Sequence, residues 1–180
     1  MKREVVFSSR FGDRWTLAIE FEGIGERPRK WNEWWGSLWL WVNGRVVGSP
    51  SEIEMVMTGF DSLVESASLN FNKLELWQSS APAEQALEFV MWANYGTEDE
   101  VPADFCGNPE FLKTLEVLPR LTGSFFDGYK AVLLRAGQNE RFIYCPDGDA
   151  IVEADWPAGT FRNVVLGAFE AFKKLAECHM

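Results

Sequence analysis

A hairpin signal near the N-terminus constrains the fold more than any other feature of this 180-residue chain. Asn43-Gly44 separates two largely apolar runs, residues 36–42 and residues 45–47. Both turn residues tolerate the positive φ angles that a two-residue connection between antiparallel strands requires. Residues 16–22 alternate between apolar and polar side chains, which is the period of a half-exposed strand. The N-terminal part is therefore predicted to form an antiparallel sheet.

The remaining patterns predict helices in the middle and a three-strand meander near the end. Helices are predicted over residues 52–67 and 82–94, with a short one over 109–115, and strands over 129–135, 140–145 and 150–155. A closing helix places its apolar side chains on one face: Phe161, Val164, Val165, Ala168, Phe169, Phe172 and Leu175. These elements predict a single α+β domain spanning residues 1–180, in which helices cover the antiparallel strands.

Charge is distributed very unevenly along the chain. Residues 46–112 contain twelve acidic residues and one base, Lys73, so their formal charge of −11 exceeds the −10 of the whole chain. A concentrated negative charge attracts a cationic partner and repels the phosphates of nucleic acid. This distribution favours a basic protein partner and argues against nucleic-acid binding, with a purely solubilising role for the charge as the plain alternative.

Residues suited to catalysis or metal binding are few. The sole histidine is the penultimate residue, His179, which excludes Ser-His-Asp and Cys-His catalysis and histidine-based metal sites. The three cysteines are widely spaced and predict neither disulfides nor a zinc site. Asp147 and Asp149 are better explained by the chemistry of a turn than by a calcium loop. The chain is expected to be non-enzymatic and without a cofactor or metal. It shows neither a signal peptide nor a membrane span, which predicts a cytoplasmic location.

Tryptophan is the other unusual component of the sequence. Trp39 and Trp41 share one face of a predicted central strand and are expected to pack in the core. Trp31, Trp34 and Trp35 lie in or beside a loop, where contact with a partner is more plausible. A carbohydrate- or peptide-binding module that uses exposed tryptophans remains the alternative function.

Several motifs resemble a family of bacterial immunity proteins from polymorphic-toxin and contact-dependent growth inhibition systems. The first is the aromatic strand and hairpin from Trp35 to Gly48. The others begin at Phe126-Asp127-Gly128-Tyr129, Arg141-Phe142-Ile143-Tyr144 and Pro157-Ala158-Gly159-Thr160-Phe161. The resemblance implies a non-enzymatic cytoplasmic protein that binds and neutralises a cognate toxin domain. Toxins of such systems are often nucleases with basic active domains.

The predicted toxin-binding residues follow from the charge distribution and not from the resemblance. They comprise a loop group, Glu98, Asp99, Glu100 and Asp104, and a second group that precedes it in the chain, Glu52, Glu54, Asp61 and Glu65. The predicted partner is the toxin domain itself, a basic protein, with neither nucleic acid nor membrane involved. The sequence leaves the oligomeric state open.

Overall fold

A computed structural model describes residues 4–68, 81–97, 100–103, 105, 108–113, 115–118, 124–126, 128–146 and 150–180. Its strands form two antiparallel sheets, which confirms the predicted α+β class. The N-terminal sheet contains five strands, β1 (Val5–Gly12), β2 (Leu17–Ile24), β3 (Trp35–Val42), β4 (Arg45–Val47) and β5 (Glu54–Met55). Strands β1 to β4 follow one another in the sheet, and β5 pairs with the other end of β3.

The alternating pattern of β2 determines which face of the N-terminal sheet is buried. Leu17, Ile19 and Phe21 lie opposite Val42, Leu40 and Leu38 of β3, and all six side chains are buried. Asn43 and Gly44 have φ angles of 48° and 78°, as the hairpin turn requires. The hairpin prediction is therefore confirmed.

The C-terminal sheet is the predicted meander, β6 (Tyr129–Ala136), β7 (Asn139–Pro146) and β8 (Val152–Pro157). Its two faces contribute to two different apolar clusters. Leu133, Phe142 and Trp156 belong to the main core, together with the inner face of the N-terminal sheet. Val132 and Ile143 belong to a second, smaller cluster on the opposite face.

The helices divide between these two clusters. Among the described residues they are α1 (Val56–Ser68), α2 (Ala83–Tyr95), α3 (Pro109–Lys113) and α4 (Thr160–Cys178). Helices α1 and α4 pack on each other and on the N-terminal sheet, whereas α2 packs on α3, β6 and β7. The apolar face predicted for the last helix is confirmed, since five of its seven residues are buried and Phe169 and Leu175 pack partly buried against the same core. In the described parts of the chain, no helix is long and apolar enough to span a bilayer.

The first helix begins later than the sequence predicted. Residues 52–55 are not helical, because Glu54 and Met55 pair with Gly36 and Trp35 on the edge of β3. The Ser37 hydroxyl also donates a hydrogen bond to the Glu52 carbonyl oxygen at 2.6 Å. The open edge of β3 thus offers this segment backbone partners that a helical first turn lacks.

A buried carboxylate holds the start of α4 against the C-terminal sheet. Glu140 of β7 is 5% exposed and accepts hydrogen bonds from the Trp156 indole at 2.9 Å and from the backbone amides of Gly159 at 2.6 Å and Phe161 at 3.0 Å. A negative charge suits the N-terminus of a helix, where backbone amides have no partner within the helix. Glu140 therefore connects β7, β8 and α4 through one side chain.

Candidate protein-binding site

Two of the predicted carboxylates lie side by side on α1. Asp61 and Glu65 are one helical turn apart and exposed, while Phe60 and Leu63 face the core. Neither carboxylate forms an ion pair with any residue that the structure describes. The helix therefore presents adjacent negative charges to solvent.

The environment of Asp61 disfavours its charge. Partial burial raises the pKa of this carboxyl above its ordinary value, because desolvation penalises the ionised form. A raised pKa in the folded state means that ionisation at neutral pH acts against folding. Ionised Asp61 therefore slightly destabilises the folded state relative to a neutral side chain at this position.

Replacement of Asp61 by asparagine is expected to stabilise the protein in a pH-dependent way. At pH 3 the carboxyl is protonated in both states, so the variant and the wild type should melt at similar temperatures. As the pH rises through the raised pKa, the wild type loses stability relative to the variant. Melting curves between pH 3 and pH 7 test this, with Ser62→Ala on the same helix as a control without a titrating group. A difference in melting temperature that does not grow with pH would contradict the expectation.

Glu52 and Glu54 lie in the segment that joins β4 to α1. Glu52 is exposed, and Glu54 is half-buried where β5 pairs with β3. This segment leads directly into α1, so the four carboxylates of the second predicted group occupy one continuous stretch of chain.

Only one member of the loop group can be placed. Glu98, Asp99 and Asp104 lie outside the described residues, as do Asp147 and Asp149. Glu100 is exposed, and its carboxylate accepts a hydrogen bond from the Thr97 amide at 3.2 Å. The Glu100 amide in turn donates to the Thr97 carbonyl oxygen at 3.0 Å, so this turn is held at both ends.

Helix α2 carries two further carboxylates that the sequence analysis had not selected. Glu84 and Glu88 are exposed and one turn apart, whereas Leu87 and Val90 are buried on the opposite side. Neither glutamate forms an ion pair with a described residue. Glu84, Glu88 and Trp92 are four residues apart, and residues at this spacing lie on the same face of a helix. The sequence could therefore have predicted the stripe that these three side chains form along α2.

The stripe borders an open groove of about 360 Å³ between α2, the following loop and β6. Trp92 and Tyr95 of α2 line it, with Glu88 at one side, Glu100 from the loop and Lys130 from β6. A groove with aromatic walls and carboxylates is suited to a cationic group, because aromatic faces and carboxylates both attract positive charge.

The two acidic helices pack on different parts of the interior. Helix α1 packs into the main core together with α4, and α2 covers the other face of the C-terminal sheet. Glu52, Glu54, Asp61 and Glu65 therefore lie on or directly before a helix of the main core, whereas Glu84 and Glu88 lie on the helix of the second cluster and Glu100 in the loop after it. These described carboxylates thus form two groups, one negative area on each helix.

The tryptophan predictions have mixed outcomes. Trp39 is 7% exposed, which confirms its place in the core, whereas the same prediction was wrong for Trp41, which is half-buried with its indole bonded to the Glu20 carboxylate. The expectation for Trp34 was wrong, since this residue is fully buried with its ring centroid 5.0 Å from that of Phe7. A short 3-10 turn at Trp31–Glu33 directs the next residue inward, where its indole donates to the Ala176 carbonyl oxygen. Trp35 is 57% exposed, as expected for a residue outside the core.

Trp15 is the most exposed large apolar side chain described, at 77%, and the sequence analysis did not select it. It lies against Gly44, where an added Cβ would be 2.7 Å from its ring. Beside it, the Arg14 guanidinium stacks on Trp41 at 4.2 Å and binds the Glu20 carboxylate at 2.9 Å. The Trp41 indole donates to the same carboxylate oxygen at 2.8 Å. The β1–β2 turn therefore presents the exposed Trp15 indole next to the contacts among Arg14, Trp41 and Glu20.

Groups of histidine, cysteine, aspartate or glutamate able to hold a metal ion are absent from the described ranges. Cys145 is half-buried and its thiol donates to the Pro146 carbonyl oxygen at 3.4 Å, whereas Cys178 is exposed.

Comparison with known proteins shows the family of proteins to which this chain belongs. The sequence matches the family model of Immunity protein 42 over residues 7–170. The chain therefore belongs to the Immunity protein 42 family, which confirms the resemblance seen in the sequence.

A solved structure has a similar fold. The crystal structure of CdiI from Burkholderia dolosa AUO158 matches with a TM-score of 0.63 at 16% sequence identity. The match covers 91% of this chain and 99% of that one. No protein among those with curated descriptions matches the sequence.

Proposed function

We propose that this protein neutralises a basic, nuclease-type toxin domain in the cytoplasm by binding it through an acidic surface. Membership of an immunity-protein family supports the role of toxin neutralisation. The carboxylates of α1 and α2, exposed and without ion pairs to described residues, support the charge of the contact surface. The protein acts by binding and not by catalysis.

The main contact surface in this proposal is the exposed side of α2 with the loop that follows it. It comprises Glu84, Glu88 and Glu100 among the described residues and extends to Glu98, Asp99 and Asp104. Glu52, Glu54, Asp61 and Glu65 form the second negative area, which increases the long-range attraction for a basic domain. Such fields accelerate encounter more than they slow dissociation.

Charge reversal in the loop is expected to slow association with the toxin domain. The variant Glu98→Lys/Glu100→Lys should reduce the association rate constant about tenfold at low salt, because it converts attraction into repulsion. The effect should shrink as salt rises, since a Debye length of about 10 Å at 0.1 M shortens further. Stopped-flow or surface-plasmon kinetics with the toxin domain encoded beside this chain measure both quantities.

A matched control carries the same change in net charge on a different element. Glu170 and Glu177 are exposed on α4, so Glu170→Lys/Glu177→Lys tests the effect of total charge alone. The α1 variant Asp61→Lys/Glu65→Lys should fall between the loop variant and this control. Equal association rates for the loop variant and the α4 control would contradict the acidic-surface proposal.

The alternative is a carbohydrate- or peptide-binding module, and the exposure of Trp15 and Trp35 is the observation that favours it. Stacking ligands require exposed rings, and both indoles are more than half exposed. The two functions predict that binding affinity depends on different side chains. Toxin binding depends on the carboxylates of the acidic segment, whereas a stacking module depends on Trp15 and Trp35.

A further inference from the structure

We propose that the groove beside α2 receives an arginine side chain of the toxin domain, an inference that rests on the proposed function. Interfaces concentrate their binding energy in a few buried anchors, and arginine and aromatic residues are the commonest of these. The groove offers an aromatic pair, Trp92 and Tyr95, and two carboxylates, Glu88 and Glu100, within a volume of about 360 Å³.

The charges around the groove suit one cation. Glu88 has no ion pair with any described residue, and Glu100 uses one oxygen to accept from the Thr97 amide. Lys130 contributes one positive charge from β6 and makes no ion pair with either glutamate. Two carboxylates and one ammonium leave a single negative charge, which one guanidinium neutralises.

The groove walls are fixed before any partner arrives. The Trp92 indole donates to the Thr97 carbonyl oxygen at 3.1 Å, and its ring packs on Phe105 with centroids 4.7 Å apart. Gly96 leaves space for this ring, since an added Cβ would be 2.3 Å from it. The Tyr95 hydroxyl bonds to the buried Glu116 carboxylate at 2.8 Å. A rigid groove loses little entropy on binding.

A contact of the kind proposed for the groove already exists elsewhere in this chain. Arg14 stacks on Trp41 and binds Glu20, so an indole and a carboxylate together hold one guanidinium. A planar guanidinium can stack and form two parallel hydrogen bonds at once, which a lysine ammonium cannot do. The groove presents this combination of indole and carboxylate without the arginine, which identifies arginine as the side chain that fits.

Dissociation kinetics test the groove separately from the charge of the surface. The variants are Glu88→Gln in the groove and Glu170→Gln on α4, outside the proposed contact surface, each removing one negative charge. We expect Glu88→Gln to increase the dissociation rate constant of the toxin complex about tenfold and Glu170→Gln to change it less than twofold. Lys130→Met removes the competing cation and should slow dissociation about threefold. Melting temperatures similar to that of the wild-type protein would show that the variants are folded.

A scan of the toxin domain identifies the inserted side chain. One Arg→Ala substitution should weaken binding to the wild-type protein strongly and binding to Glu88→Gln only slightly, because the two residues form one contact. Equal dissociation rates for Glu88→Gln and Glu170→Gln, or the absence of a toxin arginine coupled to Glu88, would overturn the proposed arginine contact in the groove and leave the proposed function intact. A wild-type chain that does not bind the toxin domain would instead overturn the proposed function, and the groove with it.

Discussion

Replacement of Glu140 by alanine is expected to lower the free energy of unfolding by about 3–5 kcal/mol. The substitution removes the acceptor for the Trp156 indole and for the amides of Gly159 and Phe161. A buried donor left without a partner costs about 1–3 kcal/mol, and hydrogen bonds to a charged group are at the upper end. The start of α4 also loses the negative charge that suits its dipole. Denaturant unfolding followed by tryptophan fluorescence measures the loss.

Another glutamate in the same sheet provides the control. Glu153 of β8 pairs with Arg141 at 2.7 Å, with the glutamate side chain 41% exposed. A pair with one partner this exposed contributes about 1 kcal/mol or less, and Arg141, itself 12% exposed, keeps its hydrogen bond to the Ala81 carbonyl oxygen, so Glu153→Ala should have a small effect. If both variants lost stability equally, Glu140 would not be the connection between β7, β8 and α4 that the hydrogen bonds indicate.

Phe172→Ala is also expected to have a large effect and to lower the free energy of unfolding by about 3–5 kcal/mol. Phe172 is fully buried on α4, and its ring centroid lies 5.5 Å from that of Phe21 and 5.2 Å from that of Phe60. It therefore joins β2, α1 and α4 in one aromatic cluster. Removal of the ring leaves a cavity that these rigid elements cannot close.

Phe169 on the same helix is the matched control for this prediction. It is only partly buried, and its ring contacts Phe60 at 5.7 Å and Trp31 at 6.2 Å. Phe169→Ala removes the same atoms from a site that solvent can partly fill, so its loss should be clearly smaller. Chemical denaturation of both variants gives the comparison, and a Phe169→Ala loss as large as that of Phe172→Ala would refute the central place given to Phe172.

Local patterns were sufficient to predict most of the fold. The Asn43-Gly44 turn, the alternation of residues 16–22 and the apolar face of α4 are each encoded by neighbouring residues, and each is found in the structure. The late start of α1 was not predictable in this way. It depends on pairing between Glu54–Met55 and β3, and an acidic first turn cannot reveal that an open strand edge is nearby.

The candidate site depends still more on tertiary arrangement. Charge counting found the acidic segment, but it could not separate α1 from α2, because the two helices pack on different apolar clusters. Lys130 comes to the groove from a strand more than thirty positions after Trp92, and no local pattern relates the two. The burial of Glu116 and Glu140 could not be predicted from the sequence either, because a glutamate is ordinarily expected at the surface.

The division of the interior into two apolar clusters has a consequence for how such a protein can diversify. Helices α2 and α3 rest on the smaller cluster, on the face of the C-terminal sheet that points away from the main core. Substitutions at distant sites generally act independently on stability. Substitutions on the exposed side of α2 are therefore expected to leave unchanged the packing of the N-terminal sheet, α1 and α4 in the main core.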